Sequence, residues 1–157
     1  MPAPSRETPQ EVTDAFTSAA VTALQEMVQL EAFAEPLAAP APMEGDELVV
    51  ATLPLAGESP GSMNLIMTAQ TAADLAGRYL PQGTMLTQEI VDDTAGEFAN
   101  VIGGQAKTFL KGTPRHFTIS PPSVRRVQGH GAPPAGAMFT LVILLTFEGG
   151  CIQVTVS

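Results

Sequence analysis

QEIVDDTAGEFANVIGGQAKTFLKG, residues 88–112, reads as one long amphipathic helix running from about Thr87 to Lys111, with Gly112 and Pro114 as its stop signal. On a wheel at about 100° per residue with Asp93 at zero, Glu97 falls near +40°, Asn100 near −20°, Gly104 near +20° and Lys107 near −40°, all roughly. Val91, Phe98, Ile102 and Phe109 gather on the opposite side. One face is therefore apolar, and the other carries two acids, an amide, a bare glycine and a base. Any amphipathic helix has a polar face, and its Glu and Asn are usually only solvated. The adjacent Gly103 and Gly104 argue for more, because each costs up to about 1 kcal/mol relative to alanine inside a helix. Gly104, one turn from Asn100 on the polar face, leaves room for a partner surface. Gly103 lies nearer the back, where it serves core packing.

Working outward, the flanks read as strands and helices in alternation with proline joints. Thr8-Pro9-Gln10-Glu11 has the form of a helix start, with Thr8 as cap and Glu11 closing a capping box. Val12, Phe16, Ala19, Ala20, Ala23, Leu24, Met27 and Leu30 follow at helical spacing, in a helix that ends before Pro36. Pro36–Pro42, PLAAPAP, is a stiff connector. Leu48–Leu55 and Ser62–Met67 read as a hairpin, and Thr71–Leu80 as a short helix with Leu75 and Leu80 inward. Beyond the long helix come a short strand at Phe117–Ser120, a loop GHGAPPAG at residues 129–136, and a second hairpin from Met138–Phe147 and Cys151–Val156. The expected architecture is α+β: a two-layer arrangement of helices on an antiparallel-rich sheet, in the order α-β-β-α-α-β-β-β. Residues 1–8 are expected to be a flexible tail, and residues 9–157 a single domain.

Composition bounds the function. A chain of 157 residues with 45% hydrophobic and 15% charged residues can bury a core of its own. Acids outnumber bases 16 to 7, giving a net charge of −9. Residues 1–60 hold ten of the acids and a single base, Arg6, and so account for the whole imbalance. That balance argues against nucleic acid or an anionic membrane as partner, since both select clustered Lys and Arg. Cys151 is the only cysteine, and His116 and His130 are the only histidines, so cysteine clusters and multi-histidine metal centres are excluded. The longest apolar stretch, Phe139–Phe147, is about half a membrane span. No secretory leader is evident at the N-terminus, and the expectation is a cytoplasmic protein. His116 and His130 read as structural or solvent-exposed, Cys151 as a buried small hydrophobe, and Arg125 and Arg126 as a solvated surface pair.

The spacing Asp93-x3-Glu97-x2-Asn100-x3-Gly104 resembles the signature helix of the CheC/CheX/FliY family of chemotaxis phosphatases. Leu48–Leu80 resembles that family's hairpin and short helix, and Phe117–Gly129, FTISPPSVRRVQG, its strand-and-proline segment. Coverage extends over about residues 10–157. Residues 10–34 lack a Glu-x2-Asn, so there is one site, closer to CheX than to the two-site CheC proteins. The resemblance implies a phosphatase for the phosphoaspartate of a CheY-type receiver domain. Asn100 would enter the receiver's active site and orient the attacking water, while Glu97 would hold the receiver's lysine. Asp93, Gly104 and Lys107 would contact the partner. It further implies no cofactor of the protein's own, Mg²⁺ in the receiver, and a homodimer. The alternative is a non-catalytic module of the same fold that docks a signalling or flagellar-switch partner. Of the two acids Asp92 and Asp93, only Asp93 fits the family spacing, and Asp92 reads as incidental. PLAAPAP and GHGAPPAG look longer or richer in proline than the family pattern.

Overall fold

A computed structural model describes residues 10–43, 45–57, 60–128 and 141–157. The expected tail at residues 1–8, the Thr8 cap, the GHGAPPAG loop with His130, and the Met138–Thr140 start of a strand lie outside the described residues.

Among the described residues, three helices and seven strands follow one another as α1 (Gln10–Val28), β1 (Phe33–Pro36), β2 (Glu47–Gly57), β3 (Gly61–Thr68), α2 (Ala69–Tyr79), α3 (Gln88–Phe109), β4 (Phe117–Ile119), β5 (Ser123–Gln128), β6 (Leu141–Phe147) and β7 (Gly150–Val156). The α+β class and the order of its main elements are as the sequence indicates, with two short edge strands, β1 and β5, added. All pairings are antiparallel, and the sheet runs β1-β6-β7-β3-β2-β4, with β5 also on β2.

Alternation along β2 shows why the sheet has two different faces. Val49, Ala51, Leu53 and Leu55 point to the helices and join the main core with Met63, Leu65 and Met67 of β3 and Ile143, Leu145, Ile152 and Val154 of the last hairpin. Leu48 and Val50 point the other way, into a smaller cluster with Ile66 and Met43. Met43 ends the proline-rich connector, which crosses this outer face. There Gln153 both accepts from the Ala41 backbone N–H at 2.7 Å and donates to its carbonyl at 2.9 Å. The connector is thus a strap over the outer face of the sheet.

α1 stops sooner than its periodicity indicates. Gln29 adopts φ 55°, and Leu30 N–H bonds back to the Leu24 carbonyl at 3.2 Å. This is a left-handed helix stop with glutamine in the place usually held by glycine. Leu30 is still buried, but beyond the helix.

β4 and β5 both lie along β2, β4 on Leu55–Gly57 and β5 on Glu47–Thr52. They are one edge strand interrupted at Pro121-Pro122, where two consecutive residues lack the N–H a ladder needs. This break faces α3 and shapes the site.

Candidate functional site

α3 is set at both ends by its own sequence. Thr87 caps the start, its hydroxyl accepting from Ile90 N–H at 3.2 Å, and Gly112 takes φ 82° just past the end. Val91, Ala95, Phe98, Ala99, Ile102, Gly103 and Ala106 are buried against α1, α2 and the sheet. A Cβ on Gly103 would stand 2.1 Å from Leu53 Cδ2, so helix and sheet touch there at a distance only glycine permits. Phe109, placed on the apolar face by the wheel, is instead 56% exposed, while Ala106 and Leu110 take the buried side of the last turn.

On the opposite side Asp93, Glu97 and Asn100 are exposed and line one open groove of about 440 Å³. Gly96 forms part of its floor. The far wall is Ile119, Ser120, Pro121, Pro122 and Val124, the broken edge strand. A Cβ on Gly96 would lie 3.4 Å from Val124 Cγ2 and 3.5 Å from Pro122 Cγ, so the wall comes to van der Waals distance of the helix. Among the described residues, Asp93, Glu97 and Asn100 make no side-chain hydrogen bond or ion pair. Their polar atoms are presented to whatever enters the groove. Gly104 and Lys107 continue the same helix face but lie outside the groove, and nothing stands within 4 Å of a Cβ built on Gly104. The structure thus brings together three of the five residues singled out from sequence, and leaves two as an extension of the face.

Two residues read as incidental have a definite place. Arg126 of β5 reaches under α3: Nε and Nη2 donate to Asp92 Oδ1 at 2.9 and 2.8 Å, and Nη1 meets Glu47 Oε1 of β2 at 2.6 Å. Gln128 also donates to Glu47 Oε2. Arg126 is only 17% exposed in its side chain, so the solvated pair expected of Arg125 and Arg126 does not exist. Arg125 alone is exposed, on the opposite face of the strand. Partial burial works against the charge of Arg126, but its bonds to Asp92 and Glu47 outweigh this and raise its pKa. The Arg126 hydrogen bond holds the Glu47 carboxyl below its ordinary value.

Gly96, the diproline wall and Arg126 do not stand out in the sequence as site residues. The wall is signalled there only as a joint, and its placement opposite α3 depends on strand pairing across more than 60 residues. His116 is exposed, and Cys151 is half-buried, its thiol pKa pushed up by burial. Among the described residues, no three His, Cys, Asp or Glu side chains converge as a metal site requires, and no helix is long and apolar enough to cross a membrane.

A family model described as chemotaxis phosphatase CheX matches residues 49–146, well over half of the chain. No curated protein matches the sequence. Among solved structures, a chemotaxis protein from Desulfovibrio vulgaris Hildenborough is 23% identical, with a TM-score of 0.73 over 94% of this chain and 96% of that one. CheX from Vibrio vulnificus is 21% identical, with a TM-score of 0.71 over 98% of each chain. A Borrelia burgdorferi structure of a CheX–CheY–BeF3–Mg²⁺ complex gives 23% identity and a TM-score of 0.72, over 93% of this chain and 96% of that one. At these identities the likeness is one of fold.

Proposed function

This chain belongs to the CheX family of chemotaxis phosphatases, and from that premise we propose that it hydrolyses the phosphoaspartate of a CheY-type receiver domain. The observation that carries the reading is the pair Glu97 and Asn100, one helical turn apart on α3, exposed and without side-chain partners among the described residues, on one open groove. An amide is too weak a base to take a proton from water. It can accept one water hydrogen and fix the oxygen in line with phosphorus. Phosphoryl transfer depends mainly on such positioning and on charge stabilisation. The water oxygen bonds to phosphorus as the bond to the aspartate oxygen breaks. Aspartate leaves as a carboxylate, and both water protons depart with inorganic phosphate as H2PO4−.

Glu97 serves as the anchor, pairing with the receiver's lysine and setting the register of Asn100 on the phosphoryl group. Asp93 lies on the same wall and contacts the partner, and Gly104 lets the partner's backbone close on the helix. Mg²⁺ is the receiver's own. Complex formation of a CheX fold with CheY in the Borrelia structure is in line with this partner. The setting proposed is the cytoplasm, and the assembly a homodimer.

The test is phosphate release from a panel of phosphorylated CheY-type receivers. Asn100→Ala is expected to lower the rate by about 100-fold or more while binding persists, the scale of losing one preorganised polar group at a reacting centre. No acceleration by the wild type on any receiver, or full activity in Asn100→Ala, sinks the mechanism. Tight binding with no turnover in the wild type identifies the non-catalytic docking module instead.

A further inference from the structure

Charge is divided along the chain at the site itself. Every acid but one lies in residues 1–97, the exception being Glu148, and residues 98–147 contain no Asp or Glu at all. The same 50 residues hold five of the seven bases: Lys107, Lys111, Arg115, Arg125 and Arg126. The change of sign falls within α3, between Glu97 and Lys107, an interval that contains Asn100. Glu89, Asp92, Asp93 and Glu97 precede it, and Lys107 and then Lys111 follow.

Two of the five bases are otherwise engaged. Arg126 is held by Asp92 and Glu47, and Arg125 points to the outer face of the sheet. The remaining three stand together at the C-terminal end of α3. Lys107 is two turns beyond Asn100 on the same face, about 10 Å away at 1.5 Å per residue. Lys111 and Arg115 are exposed on the tight loop that follows, which is closed by Thr113 N–H to Leu110 and His116 N–H to Thr113 hydrogen bonds. Lys107 and Lys111 complement the negative end of the helix dipole. Arg115, beyond the helix, has no such reason. Glu26 of α1 reaches this half of α3, but on the α1 side, where Gln105 donates to it at 3.3 Å.

We propose that Lys107, Lys111 and Arg115 form a cationic landing surface for the anionic face of the phosphorylated receiver, and that with the acidic half of α3 it fixes the direction of docking. The identity of the partner rests on the phosphatase reading above. A receiver carrying a phosphoryl group and clustered carboxylates is attracted to these three cations, the first of which, Lys107, stands about one Debye length from Asn100. The protein as a whole, at a net charge of −9, repels it. Its lysine is drawn to Glu97 at the other end. Reversing the receiver along the helix would set like charges against each other at both ends, so one orientation is selected. Exposed charges of this kind act chiefly on the association rate and its salt dependence.

The experiment follows association of a CheY-type receiver, activated with BeF3 and Mg²⁺, at about 50 and about 300 mM NaCl, across which screening changes strongly. In the triple variant Lys107→Glu/Lys111→Glu/Arg115→Glu the low-salt association rate is expected to fall by about tenfold or more, and its decline with salt to flatten. The exposed double variant Lys111→Glu/Arg115→Glu, read beside its thermal melt, gives an intermediate fall without touching the helix. The charge-keeping variant Lys111→Arg/Arg115→Lys retains the salt slope. Wild-type rate and slope in the triple variant, with phosphate release by the wild type intact, overturn this inference alone. Salt-dependent, charge-sensitive association with no phosphate release overturns the phosphatase reading alone.

Discussion

Two adjacent glycines of α3 have opposite surroundings. Gly103 faces Leu53, a fully buried side chain in a close-packed core, whereas Gly104 faces open space on the polar side of the helix. Gly103→Ala is therefore expected to destabilise the fold by about 1–3 kcal/mol, since the added methyl forces Leu53 off its place. Gly104→Ala is expected to raise stability by up to about 1 kcal/mol through helix propensity, while weakening receiver binding because the methyl stands where the partner must approach. Urea denaturation and receiver titration of the two variants measure both effects. Equal stability changes in the two would contradict the assignment of Gly103 to packing and Gly104 to docking. This distinction was legible in the sequence, because it needs only the wheel. The exposure of Phe109 was not: the wheel sets it with Val91, Phe98 and Ile102, and only the packing shows that Ala106 and Leu110 take the buried side of the last turn.

At the scale of elements, the site is the space between one helix and one broken strand. α3 was legible nearly to the residue, since its cap, its periodicity and its stop are all local. The strand β5 was not. SVRRVQ has only Val124 and Val127 as β-formers, and its place is fixed by pairing with β2 and by Arg126 reaching Asp92 and Glu47. That link ties the groove wall to the helix that carries Asp93, Glu97 and Asn100. It also makes the wall's attachment depend on pH. Glu47 has a folded-state pKa below its ordinary 4.5, the hydrogen bond from Arg126 being the main cause. A depressed carboxylate contributes stability that is present above its unfolded pKa and is lost as pH falls through the lower folded value. The difference in Tm between the wild type and Arg126→Met should accordingly be greatest near neutral pH and shrink below about pH 4.5. A Tm difference that stays constant from pH 7 to pH 3 in thermal melts would mean that Glu47 takes no part.

For the molecule as a whole, the sheet is covered by helices on one face and by a short strap on the other, and it has an uncovered edge. β1 pairs only with β6 among the described strands, and Phe33 stands on it 68% exposed. An edge strand with an exposed aromatic is suited to pairing with a second copy, which is where the proposed homodimer would form. Sedimentation is expected to give twice the monomer mass at micromolar concentration, and Phe33→Asp to lower it toward the monomer. A wild-type monomer at high micromolar concentration removes the dimer. The two-layer α+β architecture was legible because its helices and hairpins carry their own patterns. The stiffness of the strap is written in its prolines, but its course is not, since nothing in PLAAPAP points to Gln153, which lies 112 residues from Ala41.

The pairing of β1 with β6 joins Phe33 to Thr146. On the ribosome, with elongation at roughly 5–20 residues per second, the first strand waits on the order of 5–20 s for β6, its partner among the described strands. Its neighbours downstream, β2 and β3, can close on each other at once. The chain must therefore carry β1 through synthesis without β6, and the segment that waits is four residues long and contains Glu35 and Pro36.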